Sequence, residues 1–375
     1  MPPQPRIHVA PVRTPADHRA FWTLPYEIYR DAPAWAAPLR RDERRRWDPA
    51  RNPTLQTRRV WRFVAWRGRR PVGRIAAVLD RELAARWAPD TGLFGFFESI
   101  DEPEVSSGLF HAAESALRAQ GVRRMLGPVN LSFHDEMGLL VDGFDHPPAF
   151  LTPFNPPYYS HLVERQGYRS SFDQHAYRWT AGAAPPPVVE RALRRAARAG
   201  VVVRGLHREQ WEAELRVVHT LYNEAFKGLW GFVPIGWRDF RTRAEGFKSF
   251  YRPELVQIAE LEGRAVGFAL ALPDLSPLLA RIRGRLWPFG AAYLAFGIRR
   301  LHQARCMLLG VLPAFTARGI AVALVARLIA AARDLGFTAG ELSLVHHGNE
   351  PTRRLIETVG GIPIRTYRVY EKKLS

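Results

Sequence analysis

Pro313-Ala314-Phe315-Thr316-Ala317-Arg318-Gly319-Ile320-Ala321-Val322-Ala323-Leu324 is the stretch on which the reading of this chain turns. Ahead of it, Cys306-Met307-Leu308-Leu309-Gly310-Val311-Leu312 is continuously apolar, the pattern of a buried strand. Behind it, apolar residues at 321, 324, 325, 328, 329 and 332 mark one face of a helix that Gly336 closes. Strand, short turn and helix together make an anion cradle. The first turn of a helix leaves its N–H groups unpaired, and the helix dipole adds positive potential there. Gly319 and Ala321 keep bulk away and Arg318 adds a cation, so the turn suits a phosphate-bearing cofactor.

Working outward, the chain proves to be written twice. Residues 63–80 and 257–274 both read as two apolar strands around a tight glycine-containing turn. At an offset of 194, Ala65, Arg70, Val72, Gly73, Ala77 and Asp80 recur as Ala259, Arg264, Val266, Gly267, Ala271 and Asp274. The same offset carries Asn155 and Pro157 onto Asn349 and Pro351, each ahead of a short helix ending in glycine (Gly167, Gly360). Two separate segments sharing one offset indicate a duplicated domain. Strands are expected at 7–12, 93–97, 123–126 and 174–180, then at 201–206, 306–312, 341–345 and 364–372. Helices are expected over 109–120, 208–226 and the cradle helix. Two domains follow, 1–180 and 181–375, each a mixed, mostly antiparallel α/β (α+β) sheet flanked by helices. Ala181–Pro187 reads as the linker, with the boundary near 165–185 because a strand at 174–180 could belong to either half.

The halves differ where the cradle should repeat. The first half has Glu98, Asp101, Glu102 and Glu104 after its strand, carboxylates that repel a diphosphate. The second has no acid between Gln303 and Asp334. The cofactor therefore belongs to the second half. The first is a degenerate copy: a scaffold, a specificity module or a site for a cationic group.

Composition narrows the class. A chain of 375 residues, 47% apolar and 24% charged, forms two folded domains. The N-terminal stretch is polar and proline-rich, unlike a signal peptide, and the longest apolar stretch, 286–298, is short of the ~20 residues that span a bilayer. A single cysteine, Cys306, excludes an internal disulfide and a cysteine-built metal site. No metal is expected, His134-Asp135-Glu136 having no partner cluster, and the expected compartment is the cytoplasm. The net charge of +18 leaves a nucleic-acid partner open, but only four residues are lysine (Lys227, Lys248, Lys372, Lys373), and the arginines are spread along the whole chain.

The turn and its surroundings resemble the GNAT superfamily of acyl-CoA-dependent N-acyltransferases in a tandem bacterial form. That family's loop, Gln or Arg, two variable residues, Gly, one variable residue, then Gly or Ala, is matched by Thr316 to Ala321, with Thr316 in place of Gln or Arg. The resemblance implies that Thr316, Ala317, Arg318, Gly319, Ile320 and Ala321 hold the diphosphate of acetyl-CoA or another acyl-CoA. It implies that the edge Leu309, Gly310, Val311 pairs with the pantetheine arm and that Asn349 lies beside the cofactor. The glutamate base and acid tyrosine of some members fall on Arg305 and Ile356 and do not transfer.

Acyl transfer from a thioester needs a neutral amine and a proton for the thiolate. Glu341 is a candidate base or a structural carboxylate pairing an arginine. Tyr367 and Tyr370 are candidate acids or packed strand aromatics, and His346-His347 are candidate bases or exposed strand-end histidines. Trp230, Phe232 and Trp237, in a glycine-broken aromatic loop, are candidate acceptor contacts or an interface plug. The insertion 275–303, apolar at 286–298 between arginines, suits a helical lid, a packed hairpin or a peripheral membrane contact. The reading that leads is transfer of an acyl group to an amine of a small molecule or amino acid. A tRNA-dependent aminoacyl transferase of the cell-wall ligase type and a non-catalytic CoA-binding module stand beside it.

Overall fold

The computed structural model describes residues 5–182 and 186–374, so the middle of the Ala181–Pro187 linker lies outside the described residues. The chain divides into two compact units. One comprises Met1–Gln174, Ser276–Ala291 and Arg365–Ser375, the other His175–Leu275 and Ala292–Ile364. Both units are discontinuous in sequence, and the duplication explains why. Strand β7 (Arg169–Thr180) and strand β13 (Ile362–Lys373) fall at equivalent places in the two copies, and each runs from one unit into the other. The end of each sequence half thus completes the other half's unit.

In the second unit β8 (Val201–Gly205), β9 (Val256–Leu261), β10 (Arg264–Pro273) and β11 (Gln303–Val311) are antiparallel neighbours in that order. β12 (Ala339–His346) joins β11 in parallel. The β9–β10 connection is two residues, Glu262 and Gly263, both at positive φ (52° and 74°), the backbone that lets a hairpin keep the strand twist. Ala269 and Ala271 of β10 belong to one apolar cluster and Phe268 to another, with Leu270 packed against it, the alternation of a strand covered on both faces. Helix Ile320–Asp334 buries Ile320, Leu324 and Leu328 in the first cluster. Helix Trp211–Phe226 adds Val218 and Leu221 to the second. Each such leucine contributes about 1.5–3 kcal/mol by leaving water. Leu324, Val325, Leu328 and Ala332 of the expected stripe are buried, and the buried face of the cradle helix is wider than that stripe. Ile320 and Ala323 are buried, while Ala321 stays half-buried at the mouth of the helix.

The first unit repeats the plan. β1 (Ile7–Pro11), β2 (Arg58–Arg67), β3 (Arg70–Asp80) and β4 (Thr91–Ser99) are antiparallel in order, and β5 (Arg124–Gly127) lies parallel to β4. The C-terminal part of β13 pairs antiparallel with both β5 and β6 (Leu139–Asp142), a strand with no signal in the sequence reading. Helix Pro103–Arg118 buries Val105, Leu109, Phe110, Ala113 and Leu117. Its close approach requires Gly73, where a Cβ would stand 2.8 Å from both Leu109 and Val105.

The copies share an irregularity. Gly73 and Ala77 of β3 pair with Ser99 and Phe94, while Gly267 and Ala271 of β10 pair with Val311 and Cys306. Both ladders carry one extra residue within that interval, near Phe96 in the first copy and at Met307, a step or two away, in the second. A shared bulge is strong support for duplication, because a bulge is a specific local solution rather than a property of sheets at large.

Candidate active site

The site is made by two strands that part. β11 and β12 are in register only from Gln303↔Ala339 to Cys306↔Leu342. Beyond that, Met307 to Val311 keep β10 on one side, and Met307 itself sits in the bulge with no register partner. Among the described residues, nothing in the second unit pairs with the other edge of this stretch. Its N–H and C=O groups line a slot between strands, the geometry for pairing an extended amide chain as an added strand. Gly310 is needed there, since a Cβ would come within 2.7 Å of the Phe268 ring.

The slot leads into the turn. Pro313–Arg318 form a short 3-10 segment, and Gly319 at φ 76° starts helix Ile320–Asp334 with no side-chain cap. An L-side chain at Gly319 would be strained by its φ and would also put a Cβ 3.1 Å from the Ala192 carbonyl oxygen. The first helical bond runs from Ala323 N–H to Gly319 O, leaving the earlier N–H groups directed out of the helix end. Arg318 and Arg264 stand over the Phe315 ring at 5.4 and 5.9 Å, so cations flank the opening. This donor set fits a diphosphate: uncapped amides, a helix dipole, two exposed arginines and no carboxylate from 304 to 333. Thr316, where a longer side chain was expected, is exposed, its hydroxyl donating back to Pro313 O at 3.2 Å.

Near the point of parting lies a buried polar triad that the sequence reading missed as a unit. Ser343 Oγ donates to Glu341 Oε1 at 2.6 Å, and Arg305 Nε donates to Ser343 Oγ at 2.9 Å. Parallel register places Arg305 opposite Glu341, so the spacing of the two strands was the available signal. Glu341 is therefore a buried carboxylate tied through a hydroxyl to the arginine. Burial pushes the Cys306 thiol up to about 12, which keeps it a thiol and removes it as a nucleophile. His346 and His347 stack at 4.6 Å at the end of β12. Burial, and then the neighbouring ring, lower the His346 pKa, and its Nδ1 accepts from Gly348 N–H. Asn349 caps the following helix, its Oδ1 accepting from Thr352 N–H at 3.3 Å.

The aromatic loop divides in use. Phe232 is buried against Tyr222 and Phe226, whereas Trp230 is 43% exposed. Trp237 opens helix Trp237–Phe247 with the Arg216 guanidinium 4.3 Å above its ring. The loop is pinned by two residues one helical turn apart. Asn223 Oδ1 accepts from Ile235 N–H at 2.9 Å, and His219 Nε2 lies 2.7 Å from Ile235 O. Their i, i+4 spacing was legible; their partner was not.

Tyr367 and Tyr370 fall in the first unit. Tyr370 Oη donates to Glu164 at 3.0 Å, and burial followed by that bond raises its pKa, making it a weaker acid. The Tyr367 hydroxyl is buried with no hydrogen-bond partner among the described residues.

The first unit has the same parting of strands, and it is closed. β4 and β5 are in register only from Thr91↔Arg124 to Leu93↔Leu126. Past that point Phe94 O accepts from Val129 N–H at 2.7 Å and Phe96 N–H donates to Asn130 Oδ1 at 2.7 Å. Ser99 N–H donates to Tyr159 Oη at 3.0 Å. A cavity of about 190 Å³ remains beside this stitching. In it Glu98 accepts from Tyr29, Tyr159 and Arg74, and burial raises its pKa.

A twice-written sheet, parted strands and an uncapped glycine turn define the class. Residues 215–360 match the acetyltransferase (GNAT) family. The chain is 35% identical over 376 residues to the bacterial ceramide synthase of Caulobacter vibrioides (strain NA1000 / CB15N), covering 98% of each. It is 31% identical to Protein YghO of Escherichia coli (strain K12), covering 96% of this chain and 93% of that one. Two solved structures share the fold over the whole chain. One is a tandem GNAT protein from the clavulanic acid biosynthesis pathway (12% identity, 99% of each chain, TM-score 0.57). The other is a GCN5-related N-acetyltransferase from Sphaerobacter thermophilus (15% identity, 98% and 96% coverage, TM-score 0.54). The chain belongs to the GNAT family, in its tandem form, and is an acyltransferase.

Proposed function

We propose that the protein transfers an acyl group from acyl-CoA to the primary amine of a long-chain amino alcohol, forming an amide. The observation that carries the CoA half is the continuous path from the parted edge Met307–Val311 to the uncapped helix end at Gly319. Leu309, Gly310 and Val311 pair with the amide-bearing arm, and the N–H groups of residues 317–321 with Arg318 hold the diphosphate. The bound donor supplies an activated thioester carbon. The acceptor half is favoured by the 35% identity to a bacterial ceramide synthase, since a ceramide is the amide of such an amine. That narrows the small-molecule or amino-acid amine expected from sequence alone.

In this reading the amine attacks directly, because the Cys306 thiol stays protonated and offers no acyl-enzyme route. Glu341 takes the ammonium proton through the Ser343 hydroxyl, whose orientation Arg305 fixes. As the C–N bond forms and the C–S bond breaks, the second proton the nitrogen loses goes to the departing thiolate, which leaves as CoA thiol. Asn349 shapes the end of the slot through its helix cap, and exposed Trp230 contacts the acceptor chain. A thioester is already reactive, so orientation supplies much of the rate. The enzyme works from the cytoplasm at a bilayer that holds its acceptor, with the insertion 275–303 as the contact. No helix among the described residues is long and apolar enough to cross a membrane.

The test is CoA thiol release with acetyl-CoA and a long-chain acyl-CoA, each against a sphingoid base, a free amino acid and a water blank. Release with the sphingoid base above the other acceptors is expected. Release with the amino acid alone would move the acceptor to a small amine, and release with none would leave the chain a CoA-binding module.

A further inference from the structure

We propose that the first unit carries a docking site for an anionic phospholipid bilayer, an arginine-lined cavity that seats headgroup phosphate beside an aromatic hook that enters the interface. It rests on the reading of 275–303 as a membrane contact and deepens it by naming the site and its ligand. The cavity, about 640 Å³, is lined by Arg30, Arg40, Arg281, Arg283 and Arg285, with Glu27 as the lone acid. Arg30, Arg40, Arg283 and Arg285 form no ion pair with a carboxylate among the described residues. Those four guanidinium groups repel one another in a shared cavity unless an anion enters, and a guanidinium fork suits phosphate oxygens.

The cavity is built rather than incidental. Gly284, at φ 73°, brings its backbone so close that a Cβ would stand 2.4 Å from Pro38 O. Arg40 N–H donates to Gly284 O at 3.0 Å, and Arg283 donates to Arg30 O at 2.5 Å. The cavity wall 281–285 is thus fastened to the segment 30–40. Immediately after the last arginine, Trp287 is 87% and Phe289 80% exposed. Helix Gly290–Gly297 follows, with Phe296 also exposed. Bare aromatic rings next to clustered arginines match the two layers of a bilayer surface, acyl–headgroup boundary and phosphate.

Co-sedimentation with phosphatidylglycerol/phosphatidylcholine vesicles and with phosphatidylcholine vesicles tests it. Wild type is expected to bind the anionic vesicles well above the neutral ones, and free inorganic phosphate at matched ionic strength is expected to compete only weakly. The double variant Arg30→Glu, Arg285→Glu should weaken binding about 25-fold or more, roughly fivefold for each arginine near an anionic surface. Trp287→Ser with Phe289→Ser should weaken it about tenfold through lost apolar burial. All four positions are exposed, and unchanged melting and unchanged CoA calorimetry in each variant keep folding and the cofactor reading separate from docking. Equal binding to neutral vesicles, or full binding by both double variants, overturns the proposal. So does full competition by inorganic phosphate, which assigns the cavity to a soluble anion. RNA binding lost in the arginine variant while vesicles go unbound assigns it to RNA and also overturns it.

Discussion

The β4 edge of the first unit and the β11 edge of the second start from the same local design and end as opposites. Each strand follows the repeated hairpin, bulges within the same short interval, runs parallel to its other neighbour for a few residues and then leaves it. In the first unit the exposed edge is used up by the chain itself, through Val129, Asn130 and Tyr159. The helix beyond it begins after Glu102, which pairs with Arg67. In the second unit no partner of the edge is found among that unit's described residues, and the helix begins at a left-handed glycine. A parted sheet is therefore only a platform. Whether it binds a ligand is decided by which hydrogen-bonding groups the chain leaves unused and by the sign of charge at the next helix end.

The largest effect should come from making the second turn resemble the first. Gly319→Glu puts a Cβ at φ 76°, crowds Ala192 O and places a carboxylate where the diphosphate sits. Strain of about 1–2 kcal/mol in a left-handed non-glycine residue adds to charge repulsion. CoA affinity measured by calorimetry should fall at least 100-fold, equivalent to roughly 3 kcal/mol. Affinity within fivefold of wild type would break the comparison.

Next comes the stitch. Asn130→Ala removes the acceptor of Phe96 N–H and the tie from Asn130 to Glu136. It should cost the first unit about 1–2 kcal/mol, seen as a fall of about 3–6 °C in melting temperature for a unit of this size. CoA affinity should not change, because the turn at 98–104 remains acidic. New CoA binding in this variant would show that plugging alone silenced the first copy.

The same loop gives a pH signature. Burial alone would push the Glu136 carboxyl up, but the Arg46 guanidinium outweighs it and holds the pKa below the ordinary 4.5. A carboxylate with a depressed folded pKa contributes stability that is full above the ordinary value and lost as pH falls below it. Glu136→Gln should therefore destabilise the first unit at pH 7 by no more than about 1 kcal/mol for a partly exposed pair, read as a lower melting temperature. The gap between variant and wild type should close as pH drops through 4.5 and lower. A gap that widened in acid would contradict the pairing.

Much of this contrast was legible in the residues, and the limits have physical causes. The duplication, the two hairpins, the glycine turn and the acids after Glu98 are local patterns, and periodicity and spacing report them directly. The exchange of β7 and β13 was half legible: the strand at 174–180 could belong to either half, but which unit a terminal strand completes depends on contacts far away in sequence. The Glu341–Ser343–Arg305 triad was half legible. Glu341 and Ser343 share a strand face, but Arg305 joins them only through parallel register. The stitch was not legible at all, since nothing in Val129-Asn130 says that it will turn back to cap a strand edge. The loop 227–237 read as aromatic surface, yet tertiary packing buries Phe232 and leaves Trp230 outside.

The smallest effect tests the one place where the second turn departs from its family's pattern. Thr316 is exposed and spends its hydroxyl on Pro313 O, so it offers the diphosphate nothing beyond its backbone. Thr316→Arg returns a side-chain cation to the turn without disturbing the amides, Gly319 or the edge of β11. Because the position is solvent-exposed, the gain should be that of one screened charge near a helix end, about 0.3–1 kcal/mol, or roughly a two- to fivefold tighter CoA dissociation constant. Raising the salt should erase most of it. No gain at low salt would mean that the turn faces away from the diphosphate, whereas a gain that survives high salt would mean that the new arginine is desolvated against the ligand. The amides are what the first unit lacks and the second keeps; the side chain only adjusts how tightly they hold.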